Sequence, residues 1–227
     1  MKAEHRAALK QACRWGSILL LGIGYAVLSH RAVTSAAPDL LDALVAVMPL
    51  TGLALLMAWR SAQRKRMLAL WLAACAVLFS MSSWLVIHYH WVFLLEHAGI
   101  HALLCTAFGR TLQAGRTPMI AGFAHIVHGS LSPALISYTR SVTWAWSLYF
   151  GITSGLSLLL FWLAPIAIWS TFAYLLGGPL LGLMFVAEYA VRCYVLPAAD
   201  RAGPLEAIRA YRQAASGGAS GGAGRRP

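Results

Sequence analysis

The chain has 227 residues, of which 59% are hydrophobic and only 11% charged, with a mean hydropathy of +0.67. A soluble domain carries about 25% charged residues, so a water-soluble globule is excluded. The net charge of +11 does not point to nucleic acid, because the basic residues punctuate apolar runs instead of gathering on one polar domain.

A helix that crosses the apolar core needs roughly 20 residues. Six runs meet that need, at 12–29, 40–59, 67–87, 91–108, 142–163 and 168–191. The basic N-terminus, 1–11, holds Lys2, Arg6 and Lys10, and Arg14 follows just inside the first run. Arg60, Arg64, Lys65 and Arg66 separate the second run from the third. With six crossings, 17 of the 18 Lys and Arg residues fall on one side, Arg31 being the exception. Short loops rich in Lys and Arg stay cytoplasmic, so both termini are expected inside. The expected fold is an all-α polytopic membrane bundle, N-in and C-in. A signal peptide is the alternative for the first run, but Arg31 interrupts it and Pro38 follows the small residues Ser35-Ala36-Ala37. Trp15, Trp59, Trp84, Trp91, Trp144 and Trp169 lie near run ends, as an interfacial aromatic belt requires.

The interior loop 109–141 contains the short apolar stretch 119–127, bracketed by Pro118 and Pro133 and suited to lie in the interface. Pro49 and Gly177-Gly178-Pro179 are expected to loosen the second and sixth helices. Gly151-x-x-x-Gly155 and Gly178-x-x-x-Gly182 permit close helix approach, within the bundle or in a homo-oligomer. The tail 193–227 is basic, with a short helix expected at 205–215 and a disordered Gly/Ser/Ala stretch at 216–227. Cys13, Cys75, Cys105 and Cys193 form no C-x-x-C and read as reduced thiols.

The fourth run is the most unusual. His90, His97 and His101 share one stripe, and Glu96 points roughly 100° away from His97. Ionisable groups in a membrane face the bundle interior and find partners. Ser80, Ser82, Ser83, Thr153, Ser154 and Ser157 are the candidates. Glu96, His97 and His101 are the candidate catalytic residues for an enzyme acting on a lipid-like substrate. His97 and His101, at i and i+4, are the weak candidates for a metal. His88 and His90 sit at the outer end and His125 and His128 in the interior loop, so one centre cannot join them across about 30 Å. No metal or cofactor is expected. Glu96, His97 and the Gly-Gly-Pro break also suit a small secondary transporter, although six helices without a visible inverted repeat favour that less unless the protein dimerises. No phosphate-binding glycine loop or nucleophile elbow is present.

On the interior side, Glu188 precedes Arg192 at i, i+4. Arg110, Arg116 and Arg140 reach the same face. They form either a solvated orientation signal or a binding surface for an anionic head group, a phosphate or an acidic carrier protein.

Five blocks then stand out: Phe108-Gly-Arg-Thr-Leu, Gly115-Arg-Thr-Pro, Phe123-Ala, Tyr138-Thr-Arg-Ser-Val-Thr-Trp-Ala-Trp and Met184-Phe-Val-Ala-Glu-Tyr. Together they resemble a family of small membrane proteins often encoded beside aryl-polyene or xanthomonadin-type pigment genes in Gram-negative bacteria. The matched motifs cover roughly residues 95–192, and the Tyr-Thr-Arg-x-Val-Thr block is the most specific. The resemblance implies a place more than a reaction: an inner-membrane accessory of polyene-type acyl assembly, transfer or export. Its partners would be the lipid bilayer and acyl carrier or other pathway proteins, and no nucleic acid. The matched polar positions Arg110, Arg116, Tyr138, Arg140 and Glu188 are then the substrate- or partner-binding candidates. An accessory role is expected over catalysis.

Overall fold

The computed structural model describes residues 2–128 and 132–197, the side chains of 2–8, 10, 123 and 125–128 excepted. The expected tail helix at 205–215, the polar stretch 216–227, and the side chains of Lys2, Arg6, Lys10, His125 and His128 lie outside the described residues. The order is α1 (Lys2–Val33), α2 (Leu40–Arg60), α3 (Arg64–Ser80), α4 (Ser82–Thr111), α5 (Met119–His128), α6 (Pro133–Leu163), α7 (Ile166–Ser170), a π-helical turn (Thr171–Leu176) and α8 (Gly177–Val195). No strand occurs among the described residues.

Five helical stretches are long and apolar enough to cross a membrane: Gln11–Val33, Leu40–Arg60, Ser82–Thr111, Pro133–Leu163 and Ile166–Val195. Leu20, Leu21, Phe79 and Leu163 are each more than seven-tenths exposed, at 71%, 74%, 73% and 77%. In water such a surface is untenable; against acyl chains it is the expected one. The protein is a multi-pass helical membrane protein.

Local chemistry sets several boundaries. Asp39 caps α2: its Oδ1 accepts from the backbone of Leu41 (2.8 Å) and Asp42 (3.0 Å), while Asp42 Oδ2 accepts from Asp39 N at 3.3 Å. This reciprocal capping box is worth about 1 kcal/mol. Pro49 lies inside an unbroken α2. At its far end the Arg64 guanidinium sits 3.3 Å over the Trp59 ring, a cation–π contact across the α2–α3 turn.

Three expected boundaries move. The third run does not continue to 87; it ends at Ser80. Met81, with φ −96° and ψ 15°, breaks it, and α4 takes up the remainder together with the fourth run. The interior loop is shorter than 109–141, because Pro133 opens α6 instead of closing a break. Proline suits the first turn, where its missing N–H is not needed, and Ser132 Oγ accepts from Leu135 N at 3.2 Å. Tyr138 and Arg140 therefore stand on a helix. Finally, Gly177-Gly178-Pro179 does not part the last span; the widened turn comes just before it, at Thr171–Leu176. Pro179 cannot donate to the carbonyl four residues back and its ring crowds it, which a π turn relieves.

The chain divides into two units. The first comprises residues to Ala98 with Leu156–Pro179, and the second Gly99–Gly155 with residues from Leu180. The first unit packs around Tyr89, Phe93 and Trp169, with Ala43 and Ala46 of α2 and Ala32 and Val33 of α1. The second packs around Leu135, Tyr138, Val142, Trp146 and Phe150 of α6, with Leu196.

Candidate functional site

Within the first unit, α1 and α4 run antiparallel. The Tyr89 hydroxyl donates to Ala32 O (2.9 Å), His90 Nε2 meets Val33 O (3.2 Å), and the Tyr25 hydroxyl donates to Glu96 Oε2 (3.3 Å). Residue numbers rise along α4 as they fall along α1. His90 thus serves the C-terminal carbonyls of α1, which a helix leaves without partners.

His97 is buried, and its Nδ1 lies 2.9 Å from Ser157 Oγ on α6. Ser157, fully buried, also accepts from Trp169 Nε1 at 3.0 Å. One serine hydroxyl therefore joins α4, α6 and α7. Ser157 was among the expected partners. Ser80 was too, but it donates to Val77 O of its own helix. Trp169 corrects the aromatic-belt assignment: it is 0% exposed and its indole N–H is spent inside the bundle. His30 Nδ1, on α1, meets Ser170 Oγ at 2.8 Å.

Glu96 turns to α1 and the π turn. Among the described residues its Oε1, sealed from the surface, has no hydrogen-bond partner, as is true of Tyr174 Oη and Ser29 Oγ. Tyr25 is common to all three. Its hydroxyl meets Glu96, its ring packs edge-on against Tyr174 at 6.4 Å, and Ser29 is one turn further along α1. Tyr25 and Ser29 had not been singled out from sequence; their i, i+4 spacing on an otherwise apolar run was the available signal.

In the second unit, His101 is half-buried with its ring 6.1 Å from Phe150. Among the described residues no three His, Cys, Asp or Glu side chains gather as a metal-ligand set. Tyr138 and Glu188, both read from the sequence, come together here. The Tyr138 hydroxyl donates to Glu188 Oε1 at 2.9 Å, and Arg192 donates to the same oxygen from Nη2 (2.7 Å) and Nε (3.0 Å). Glu188 is 10% exposed, so this ion pair has little of the screening that weakens surface pairs. It clamps α6 to α8. Tyr138 and Glu188 line a groove of about 650 Å³ whose walls include Ala134, Ser137, Ala145 and Ala187.

The arginines separate by role. Arg140 Nη2 donates to Leu112 O at 2.8 Å, just past the end of α4, so it is a helix-capping side chain there. Arg110 and Arg116 are exposed. Between them Gly115 takes φ +78°, a left-handed turn that only glycine adopts without strain. Thr111 and Thr143 hydroxyls accept from the first amides of α5, Met119 N (3.0 Å) and Ile120 N (3.3 Å).

No known family model, curated protein or solved structure matches this chain.

Proposed function

We propose that the protein is a bacterial inner-membrane accessory that holds a polyene- or polyketide-type acyl product during its synthesis, transfer or export. The observation that carries the reading is the groove of about 650 Å³ between α6 and α8, lined by small and aliphatic side chains with Tyr138 and Glu188 in its wall. Its size falls in the range of small-molecule sites, and apolar walls with a few convergent polar groups are what such sites share. An acyl chain would lie along Ala134, Ala145 and Ala187, with its polar end at the Tyr138–Glu188–Arg192 clamp. The exposed Arg110 and Arg116 would meet an acidic carrier protein, since a guanidinium offers a planar fork of donors. Two lines of support come from sequence. The charge bias places Arg110 and Arg116 on the cytoplasmic side, and Tyr138, Arg140 and Glu188 belong to the motifs that resemble the pigment-associated family.

The test is a deletion strain of a bacterium that carries the chain. Its membranes are extracted and their pigments and lipids compared with wild type by absorbance and mass spectrometry. Loss of one polyene-like product, or accumulation of its precursor, is expected. Wild type restores it. Ala145→Trp, which fills the groove, does not, although it inserts in the membrane at normal abundance. Arg110→Ala lowers product without loss of insertion. An unchanged profile while the pathway is active rejects the reading.

A further inference from the structure

We propose that Glu96 is a reversible proton-binding site inside the helical bundle, built with Tyr25, Ser29 and Tyr174. The carboxyl stands at the middle of the 30-residue α4, on a helix that crosses the membrane. Among the described residues it has no ion pair. An ionised carboxylate taken out of water without a cation costs several kcal/mol. The hydrogen-bond geometry also fits a neutral acid. Hydroxyl-to-carboxylate bonds are about 2.5–2.7 Å long, whereas Tyr25 lies 3.3 Å from Glu96 Oε2. The Tyr174 and Ser29 hydroxyls do not close on the other oxygen, as they would on an anion. Glu188 shows the contrast within the same chain, its Oε1 accepting from the Arg192 guanidinium at 2.7 and 3.0 Å.

The three buried oxygens share Tyr25 as a neighbour. A protonated carboxyl is a donor, and Tyr174 Oη and Ser29 Oγ are acceptors with free capacity. A protonated carboxyl can donate once, directly or through one water, to one of these hydroxyls. The titratable groups facing Glu96 are Tyr25 from α1 and Tyr174 from the π turn. His97, next along α4, is turned to Ser157 on α6. The π turn that Pro179 accounts for carries Tyr174 to this site. The inference stands apart from the acyl-binding reading, since it uses no residue of the α6–α8 groove.

The experiment uses the full chain reconstituted in liposomes and a hydrophobic carbodiimide, N,N′-dicyclohexylcarbodiimide. This reagent adds to protonated carboxyls within membranes. The label is located by peptide mass spectrometry. Glu96 is expected to be the labelled residue, with roughly tenfold less label at about pH 9 than at about pH 5, in sodium and choline buffers alike. Glu96→Gln loses the label. Tyr25→Phe retains the ring packing but removes the hydroxyl's bond to the carboxylate, so labelling extends to higher pH. Absence of label in the folded protein, when the unfolded chain reacts, overturns the proposal. So does labelling that is the same at every pH, which marks a fixed structural acid. Protection by sodium overturns the proton in favour of a small cation.

Discussion

Ser157 is the residue on which three helices of the first unit depend. Its hydroxyl meets His97 Nδ1 and accepts from Trp169 Nε1, and all three side chains are buried. Ser157→Ala leaves the fully buried Trp169 N–H without its acceptor, and a buried group stripped of its partner costs about 1–3 kcal/mol. Thermal unfolding in detergent should fall by the equivalent of about 2 kcal/mol. Ser141→Ala is the control: it removes an exposed hydroxyl bonded only to Ser137 O of its own helix, and it should leave unfolding nearly unchanged. A similar fall in both variants would show that the three-helix junction is not special. Some of this was legible beforehand. Ser157 is a small hydroxyl on a facing apolar run, and buried histidines need such partners. The nearness of Trp169 to a run end suggests the interface, and only the packed structure shows the ring turned inward. Tyr25 escaped notice because it meets Glu96 across 71 residues of sequence, a pairing no local spacing encodes.

At the scale of elements, the two glycine pairs behave differently from their common motif. A Cβ on Gly151 would meet Cys105 Sγ at 3.2 Å, whereas Gly155, Gly178 and Gly182 have open space around them. Only Gly151 is therefore used for close approach within the second unit, where α6 lies against α4. Gly151→Leu should overpack that contact at a cost of about 2 kcal/mol. Gly155→Ala should gain up to about 1 kcal/mol, the usual helix-interior difference between the two residues. Unfolding of the two variants in detergent checks the contrast, and equal effects would refute it. The open glycines are the ones left for self-association. If α8 pairs with a second copy, Gly178→Leu with Gly182→Leu abolishes cross-linked dimers while unfolding stays intact. Helix existence was legible here from hydropathy alone. Helix starts were not, because a proline can either end a helix or begin one. Pro133 begins one only because Ser132 stands ready to cap it.

For the whole molecule, the open question is whether α3 crosses the membrane. It has 17 residues, the shortest of the long apolar helices, and 17 lies at the lower end of what can span. Two independent arguments predict that it crosses. The first is charge. If α3 stayed on one side, the later helices would all reverse, and ten of the 18 basic residues would lie outside, among them Arg110, Arg116, Arg140 and Arg192. With α3 crossing, only Arg31 does. The positive-inside bias decides strongly between those patterns. The second is direction. A three-residue turn, Ser61–Gln63, joins α2 to α3, and Trp71 Nε1 donates to Thr51 O at 2.9 Å, so α3 returns along α2. α4 runs antiparallel to α1 through the Ala32, Val33 and Tyr25 pairings. Since α2 returns along α1, α3 ends on the side where α1 ends and α4 begins. Reporter fusions test this directly. Alkaline phosphatase, active only outside, should be active when fused after Met81 and silent after Gly115, with a fluorescent cytoplasmic reporter giving the reverse. Cytoplasmic signal after Met81 would leave α3 uncrossed, turn Arg110 and Arg116 outward, and remove the surface on which an acyl carrier is proposed to dock.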